Sequence, residues 1–223
     1  MGIIQSNTQK IDAKTIHFHL ADPKDLLLIF TRNPVLGKCK TRLAAKVGDQ
    51  VALDIYTDLL HHTASITKDL PVHKQVFYSE EIWENDLWDN LIYDKRPQQG
   101  SDLGERMANA FLDGFENAFE RIIIIGSDMY DLERIDLANA FKALHENDYV
   151  IGPATDGGYY LLGMKSYNDK IFKNKAWGTN KVFEDTMNDM TNDKVFLLET
   201  KNDIDHYEDI LPIKAFHKYL KNL

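Results

Sequence analysis

Cysteine is nearly missing from this chain: Cys39 stands alone in 223 residues. That excludes an intramolecular disulfide and a cysteine-rich zinc site, and makes a reducing cytoplasm the expected compartment. Long apolar runs are also missing, and none reaches the roughly 20 residues that span a bilayer. The N-terminus shows no basic segment followed by an apolar core, so no secretory leader is expected. Positive charge is in deficit, with 26 Lys and Arg against 35 Asp and Glu, a formal net charge of −9. That balance argues against nucleic acid as a main partner and makes any basic cluster informative. Internal repeats, low-complexity tracts and Pro/Gly-rich linkers do not occur, so a single domain is the simplest count. The composition that remains, 43 % hydrophobic and 27 % charged, is that of an ordinary globular protein.

What is present is organised around Arg121-Ile122-Ile123-Ile124-Ile125-Gly126-Ser127-Asp128. Four consecutive β-branched residues with no polar alternation predict a strand buried on both faces, at the middle of a parallel sheet. An Asp just past the carboxyl end of such a strand stands where open α/β sheets bind ligands. Further strands are predicted at 25–30, 73–78, 91–93, 148–152, 159–164 and 195–198. Helices are predicted over 42–68 with a break at Gly48, then 80–90, from Ser101 as cap, 134–146, 170–174, 180–190 and 205–220. Strands alternating with helices predict a mostly parallel sheet with helices on both faces. The Asp156-Gly157-Gly158 turn adds an antiparallel hairpin. Residues 1–24 read as an arm, with Ile16, Phe18 and Leu20 alternating as in an edge strand or a segment packing on a neighbouring subunit. Residues 25–223 form the domain.

Four stretches can carry chemistry. The turn after the first strand holds Arg32, Lys38, Lys40 and Arg42, with no acid between Arg32 and Val47. Its cations and the backbone N–H groups at the following helix start suit phosphates, although neither a Walker A loop nor a dinucleotide glycine fingerprint is present. The alternative is a solvated basic turn. Asp128 can carry a magnesium ion, which takes few protein ligands, or can cap the next helix. Asp156 with Gly157 and Gly158 can bind sugar hydroxyls, assist a metal or act as a base, or it can be a plain hairpin turn. Asp205 can be a second metal ligand, or an N-cap completed by Glu208. His61-His62 reads as structural or exposed, and a reactive thiol at Cys39 is disfavoured.

These stretches, in this order, resemble the rSAM/selenodomain-associated transferase family of the glycosyltransferase-A-like, nucleotide-diphospho-sugar transferase superfamily. The matching blocks are Phe30 to Pro34 with Gly37 to Leu43, Gln99 to Met107, Ile125 to Asp128, Gly152 to Gly163, and Trp177-Gly178-Thr179. Together they span roughly residues 26–211. The resemblance implies one Rossmann-like, three-layer α/β domain whose first loop holds nucleotide phosphates. It also implies a divalent metal, Mg²⁺ or Mn²⁺, on the Asp after the central strand. Gly37, Lys38, Lys40 and Arg42 match the first position and Asp128 the second. The Asp203-Ile204-Asp205 stretch resembles a C-terminal acidic element of related nucleotidyltransferases. One departure stands out: the family has Pro two residues after the metal Asp, and this chain has Tyr130.

The leading expectation is a metal-dependent transferase on a nucleotide-activated donor, above all a nucleotide sugar. Asp128, Asp156 and Lys40 are the candidate catalytic residues, and Asp128 and Asp205 the candidate metal ligands. Arg32, Gly37, Lys38, Lys40, Thr41, Arg42, Asp102, Arg106, Gly157, Gly158, Tyr159 and Trp177 are the candidate substrate contacts. Nucleotidyl transfer from an NTP to a phosphorylated acceptor is the first alternative. A non-catalytic nucleotide-binding protein, in which Tyr130 marks lost chemistry, is the second. A homo-oligomer is compatible with either.

Overall fold

The structure, a computed structural model, describes residues 22–220. These form a seven-stranded sheet in the order β3-β2-β1-β4-β6-β5-β7. Its strands are β1 (Asp22–Thr31), β2 (Val72–Tyr78), β3 (Asp94–Pro97), β4 (Arg121–Gly126), β5 (Tyr149–Pro153), β6 (Tyr159–Met164) and β7 (Val195–Leu197). The isoleucine strand is the fourth of seven and so lies at the centre. All pairs are parallel except the two that β6 makes with β4 and β5. The β5–β6 hairpin turns at Asp156-Gly157-Gly158, as the sequence pattern requires.

Side-chain alternation divides the core into two layers. Leu27 and Ile29 of β1, with Ile123 and Ile125 of β4, face α1 (Thr41–Val47), α2 (Asp49–Thr67) and α4 (Arg134–Leu144). Leu26, Leu28 and Ile122 face α3 (Leu103–Glu116) on the opposite side, where α5 (Val182–Asp189) also packs. All seven of these strand residues are fully enclosed or nearly so. Burial on both faces explains why their run lacks polar residues.

Chain order reverses between β1 and β4. From β1 the chain winds outward to β2 and β3, then returns to place β4 on β1's other side. Phe30 pairs with Gly126, so the loops that follow β1 and β4 leave the sheet side by side. Such a switch point opens a crevice at the carboxyl ends of the strands.

Four sequence expectations are corrected. Residues 80–90 form no helix. There the Asp86 carboxylate accepts from the Tyr78 hydroxyl (2.6 Å), the Trp88 N–H (3.0 Å) and Lys95 Nζ (2.8 Å), and side-chain bonds of this kind favour irregular backbone over helix. Residues 91–93 form a turn, and the strand starts at Asp94. Tyr93 is withdrawn into the core, its hydroxyl 2.8 Å from Thr67 Oγ1. Asp102, one residue after Ser101, caps α3 by accepting from the Glu105 N–H (2.9 Å), while Ser101 donates to the Glu105 carboxylate. The C-terminal helix is broken into α6 (Tyr207–Ile210), a 3-10 turn and α7 (His217–Leu220). Pro212 lacks the N–H to continue it. There the acid that caps is Asp209, accepting from the N–H groups of Asp205 and His206, in place of the Asp205–Glu208 pair.

The alternating Ile16–Leu20 stretch lies outside the described residues. Among the described residues, no helix is long and apolar enough to cross a membrane.

Candidate active site at the carboxyl ends of β1 and β4

After β1 the chain turns twice. Gly37 takes φ 74°, where glycine carries no steric penalty. Lys40 then takes φ 49°, a left-handed conformation that costs a non-glycine residue roughly 1–2 kcal/mol. This backbone carries the Lys40 side chain inward, leaving it only 6 % exposed. Its ammonium donates to Asp128 Oδ2 at 2.8 Å and lies 3.9 Å from Asp205 Oδ1. Arg42, largely exposed, donates to the other Asp205 oxygen at 2.7 Å. The basic loop and both predicted metal ligands are thus brought together, with Lys40 between the two carboxylates.

Asp128 is held from beneath. Gly126 leaves room for its carboxylate, since a Cβ there would sit 2.8 Å from Asp128 Oδ1. The buried Tyr56 hydroxyl takes the Arg32 N–H at 2.9 Å and lies 3.3 Å from Ser127 Oγ, tying the two loops. Tyr130 packs its ring on Phe216 (centroids 4.9 Å apart) and His62 (5.1 Å), and His62 Nε2 lies 2.8 Å from the Leu132 carbonyl. The turn beyond Asp128 is therefore stiffened by packing where the resembling family has proline.

The electrostatics follow from this packing. Burial alone would lower the Lys40 pKa, but the charge and hydrogen bond of Asp128, with Asp205 and Asp203 beyond, outweigh it and raise the value. Burial would raise the Asp128 pKa, and Lys40 outweighs that and lowers it. Asp203 is pushed up to about 6, first by burial, then by Asp128, Asp156 and Asp205, against the pull of Lys40. Asp203 was not among the site candidates. The available signal was alternation, because Ile204 is buried, its N–H bonded to the Asp128 carbonyl (3.4 Å), and the flanking acids turn to the crevice.

Two cavities meet at Asp128. A polar one of about 1090 Å³ is lined by Arg32, Lys38, Lys40, Thr41, Arg42, Arg106, Asp128 and Asp205. Arg106 there is steadied by the Gly100 carbonyl (3.1 Å). A smaller, mostly apolar one of about 250 Å³ is lined by Asp128, Asp156, Asp203, Gly158, Tyr159 and Trp177, with Phe30, Met107 and Met129 among its apolar walls. Asp156 accepts the Gly158 N–H at 2.8 Å in a tight turn. Three predicted contacts line neither cavity. Gly37 shapes the first turn, Asp102 caps α3, and Gly157 packs on Asn180, whose carbonyl oxygen would lie 2.3 Å from a Cβ. Cys39 is buried, and burial raises its thiol pKa, so no thiolate is offered.

Among the described residues no three His, Cys, Asp or Glu side chains converge as a metal-holding group. Asp128 and Asp203 nonetheless both line the apolar cavity, and Asp203 is raised first by burial and then by the charge of Asp128. One or two carboxylates fit Mg²⁺ or Mn²⁺ when phosphate and water supply the remaining ligands.

A family model described as "uncharacterized protein conserved in bacteria (DUF2064)" matches residues 62–179, and the chain belongs to that family. The matched span holds β4, Asp128, Asp156 and Trp177. A candidate nucleotide-diphospho-sugar transferase of Desulfovibrio desulfuricans G20 is 28 % identical, with 90 % of this chain and 95 % of that chain covered and a TM-score of 0.79. A cytidylyltransferase of Leptospira borgpetersenii serovar Hardjo-bovis shares the fold at 14 % identity, 90 % and 93 % coverage and TM-score 0.55. A 4-diphosphocytidyl-2C-methyl-D-erythritol synthase of Anaerococcus prevotii shares it at 12 %, 90 % and 99 %, and 0.53. No curated protein matches the chain. The single-domain α/β fold and the superfamily resemblance are both borne out.

Proposed function

We propose that this family member is a metal-dependent transferase acting on a nucleotide-activated donor, specifically a nucleotide-diphospho-sugar. The observation that carries this is the Lys40–Asp128 pair, placed where a cation-lined cavity meets an apolar one at the switch point of the sheet. The description of the Desulfovibrio protein points the same way.

Each residue's role follows from its position. Arg32, Lys38, Arg42 and Arg106 supply positive charge along the polar cavity for the donor's phosphates. Lys40, held at the floor of the polar cavity by Asp128, adds its positive charge to the field at the departing phosphate. Asp128 and Asp203 would hold the metal. When bound, Mg²⁺ or Mn²⁺ acts as a Lewis acid on phosphate oxygens. Asp156, at the rim of the apolar cavity, orients a hydroxyl of the sugar or acceptor. The lone, buried cysteine suits a cytoplasmic setting.

Titration calorimetry with UDP-, GDP- and CDP-sugars in Mn²⁺ tests this. At least one donor class binds, whereas silence from all of them by folded protein contradicts the proposal. Nucleotidyl transfer is the second reading, favoured by one observation. Five cationic side chains line the polar cavity, Lys40 included, against the three acids Glu80, Asp128 and Asp205, and this net positive lining would take a metal-bound triphosphate as well as a diphosphate. Pyrophosphate release from an NTP distinguishes it.

A further inference from the structure

Lys40 belongs to both halves of the site. It lines the polar cavity, and its almost fully buried ammonium donates to Asp128 Oδ2 at 2.8 Å, with Asp205 Oδ1 3.9 Å away. Asp205 in turn has Arg42 at 2.7 Å. Two of the three carboxylates at this end of the sheet thus already carry a cation, and the third, Asp203, lines the adjoining cavity beside Asp128.

A divalent ion on Asp128 would have to coexist with that ammonium. A metal–oxygen bond of about 2.1 Å on either Asp128 oxygen brings the ion within roughly 7 Å of the Lys40 nitrogen, closer than a Debye length in physiological salt. On Oδ2 the two cations contend for the same atom. Lys40 is nearly dehydrated, so little water lies between the charges to weaken their repulsion. Among the described residues no group of three acids or histidines converges to offset it. Phosphate in the polar cavity changes the balance. Its negative charge gives the ammonium a second partner, and its oxygens complete the coordination of an ion that has few protein ligands.

We infer that Lys40 is a positioning residue that makes metal binding conditional on phosphate. Without nucleotide the site holds Mg²⁺ or Mn²⁺ poorly, and ion and polyphosphate strengthen one another. This rests on the proposed transferase reading, in which Asp128 and Asp203 hold the ion and the polar cavity holds the phosphates. The factor by which nucleotide improves the ion's affinity is also the factor by which the ion improves the nucleotide's. A Lys40 that only tied the basic loop to β4 would act otherwise: its removal would loosen the fold and give the ion nothing.

The test titrates the full chain with Mn²⁺ alone, following free Mn²⁺ by electron paramagnetic resonance. Loss of a positive charge should strengthen cation binding. Lys40→Gln, folded by circular dichroism, binds Mn²⁺ roughly tenfold or more tightly than the parent. Lys40→Arg, which keeps the charge, stays weak, and the gain vanishes in Lys40→Gln/Asp128→Asn. Lys40→Gln that binds Mn²⁺ no better than the parent overturns the inference. The parent supplies a second reading that needs no variant. Mn²⁺ alone leaves its thermal midpoint unchanged, and Mn²⁺ with UDP, CDP or GDP raises it. A rise with Mn²⁺ alone as large as with nucleotide also overturns the inference. The two claims fail separately. If the parent binds no nucleotide while Lys40→Gln gains Mn²⁺, the donor assignment falls and the opposition of Lys40 to the ion stands. If the parent binds nucleotide in Mn²⁺ and Lys40→Gln gains nothing, the donor assignment stands and the role of Lys40 falls.

Discussion

Lys40 combines a left-handed backbone with an almost fully buried ammonium, and both are unfavourable until Asp128 is in place. Removing that partner leaves a desolvated cation with only Asp205, 3.9 Å away. Asp128→Ala should therefore lower stability by about 2–3 kcal/mol, read from urea midpoints, and Asp128→Asn by less. Asp203 titrates in the opposite sense to a salt-bridged acid. Its folded pKa, about 6, lies above the ordinary carboxylate value, so ionising it opposes folding. That penalty is absent below the unfolded pKa, grows as pH rises from there, and is fully present above about 6. Asp203→Asn should accordingly be more stable than the parent at pH 8, with the gain shrinking as pH falls to 5. A gain that grows on acidification would refute this. Legibility at this scale was uneven. Asp128 and the basic loop could be singled out from local pattern, but their pairing joins residues 88 positions apart and has no local signature. Asp203 was passed over for Asp205 because two acids flanking a buried Ile204 look alike until the crevice shows which cavity each enters.

Elements with one dominant local signal were legible, and those governed by distant side chains were not. The isoleucine strand, the Gly48 break between α1 and α2 and the β5–β6 hairpin all follow from runs, glycines and turns. The loop at 80–90 carries a helical spacing of tryptophans and leucine, yet Asp86, Tyr78 and Lys95 hold it irregular. Pro212 was a legible stop that a long apolar period obscured. Two substitutions probe how elements support the site. A Cβ at Gly104 would lie 2.6 Å from the Phe172 carbonyl oxygen as well as from Trp177, and a backbone atom cannot step aside cheaply. Gly104→Ala should cost about 1–3 kcal/mol and move Trp177, seen as a changed indole resonance and a lower thermal midpoint. Tyr130→Ala removes the packing on Phe216 and His62 and should cost about 2 kcal/mol. Nucleotide affinity should fall with it, because the turn carrying Asp128 loosens; unchanged affinity would mean that the ring serves stability alone.

For the whole molecule, topology decides where the candidate site lies. The 3-2-1-4-6-5-7 strand order puts one reversal of direction between β1 and β4, and the basic loop and Asp128 are the two segments that leave the sheet there. Alternating strands and helices made the three-layer class legible. The strand order was not, because it depends on which edge each crossover returns to. The division of the crevice into a cationic and an acidic, apolar chamber is likewise a property of the assembled fold, drawing on residues from Phe30 to Asp205.

The central claim is that Asp128 and its surroundings bind a nucleotide's phosphates through a divalent ion. Calorimetric titration of the nucleotide that binds the parent protein, with Mn²⁺ and with EDTA, against the parent and Asp128→Ala, measures it directly. Asp128→Ala should retain its fold by circular dichroism. In the parent, chelation should weaken binding by roughly tenfold or more, an amount corresponding to about 1.4 kcal/mol. In Asp128→Ala, binding should be weak with or without Mn²⁺. Nucleotide affinity that is the same in both proteins, and the same in Mn²⁺ and EDTA, would contradict the account.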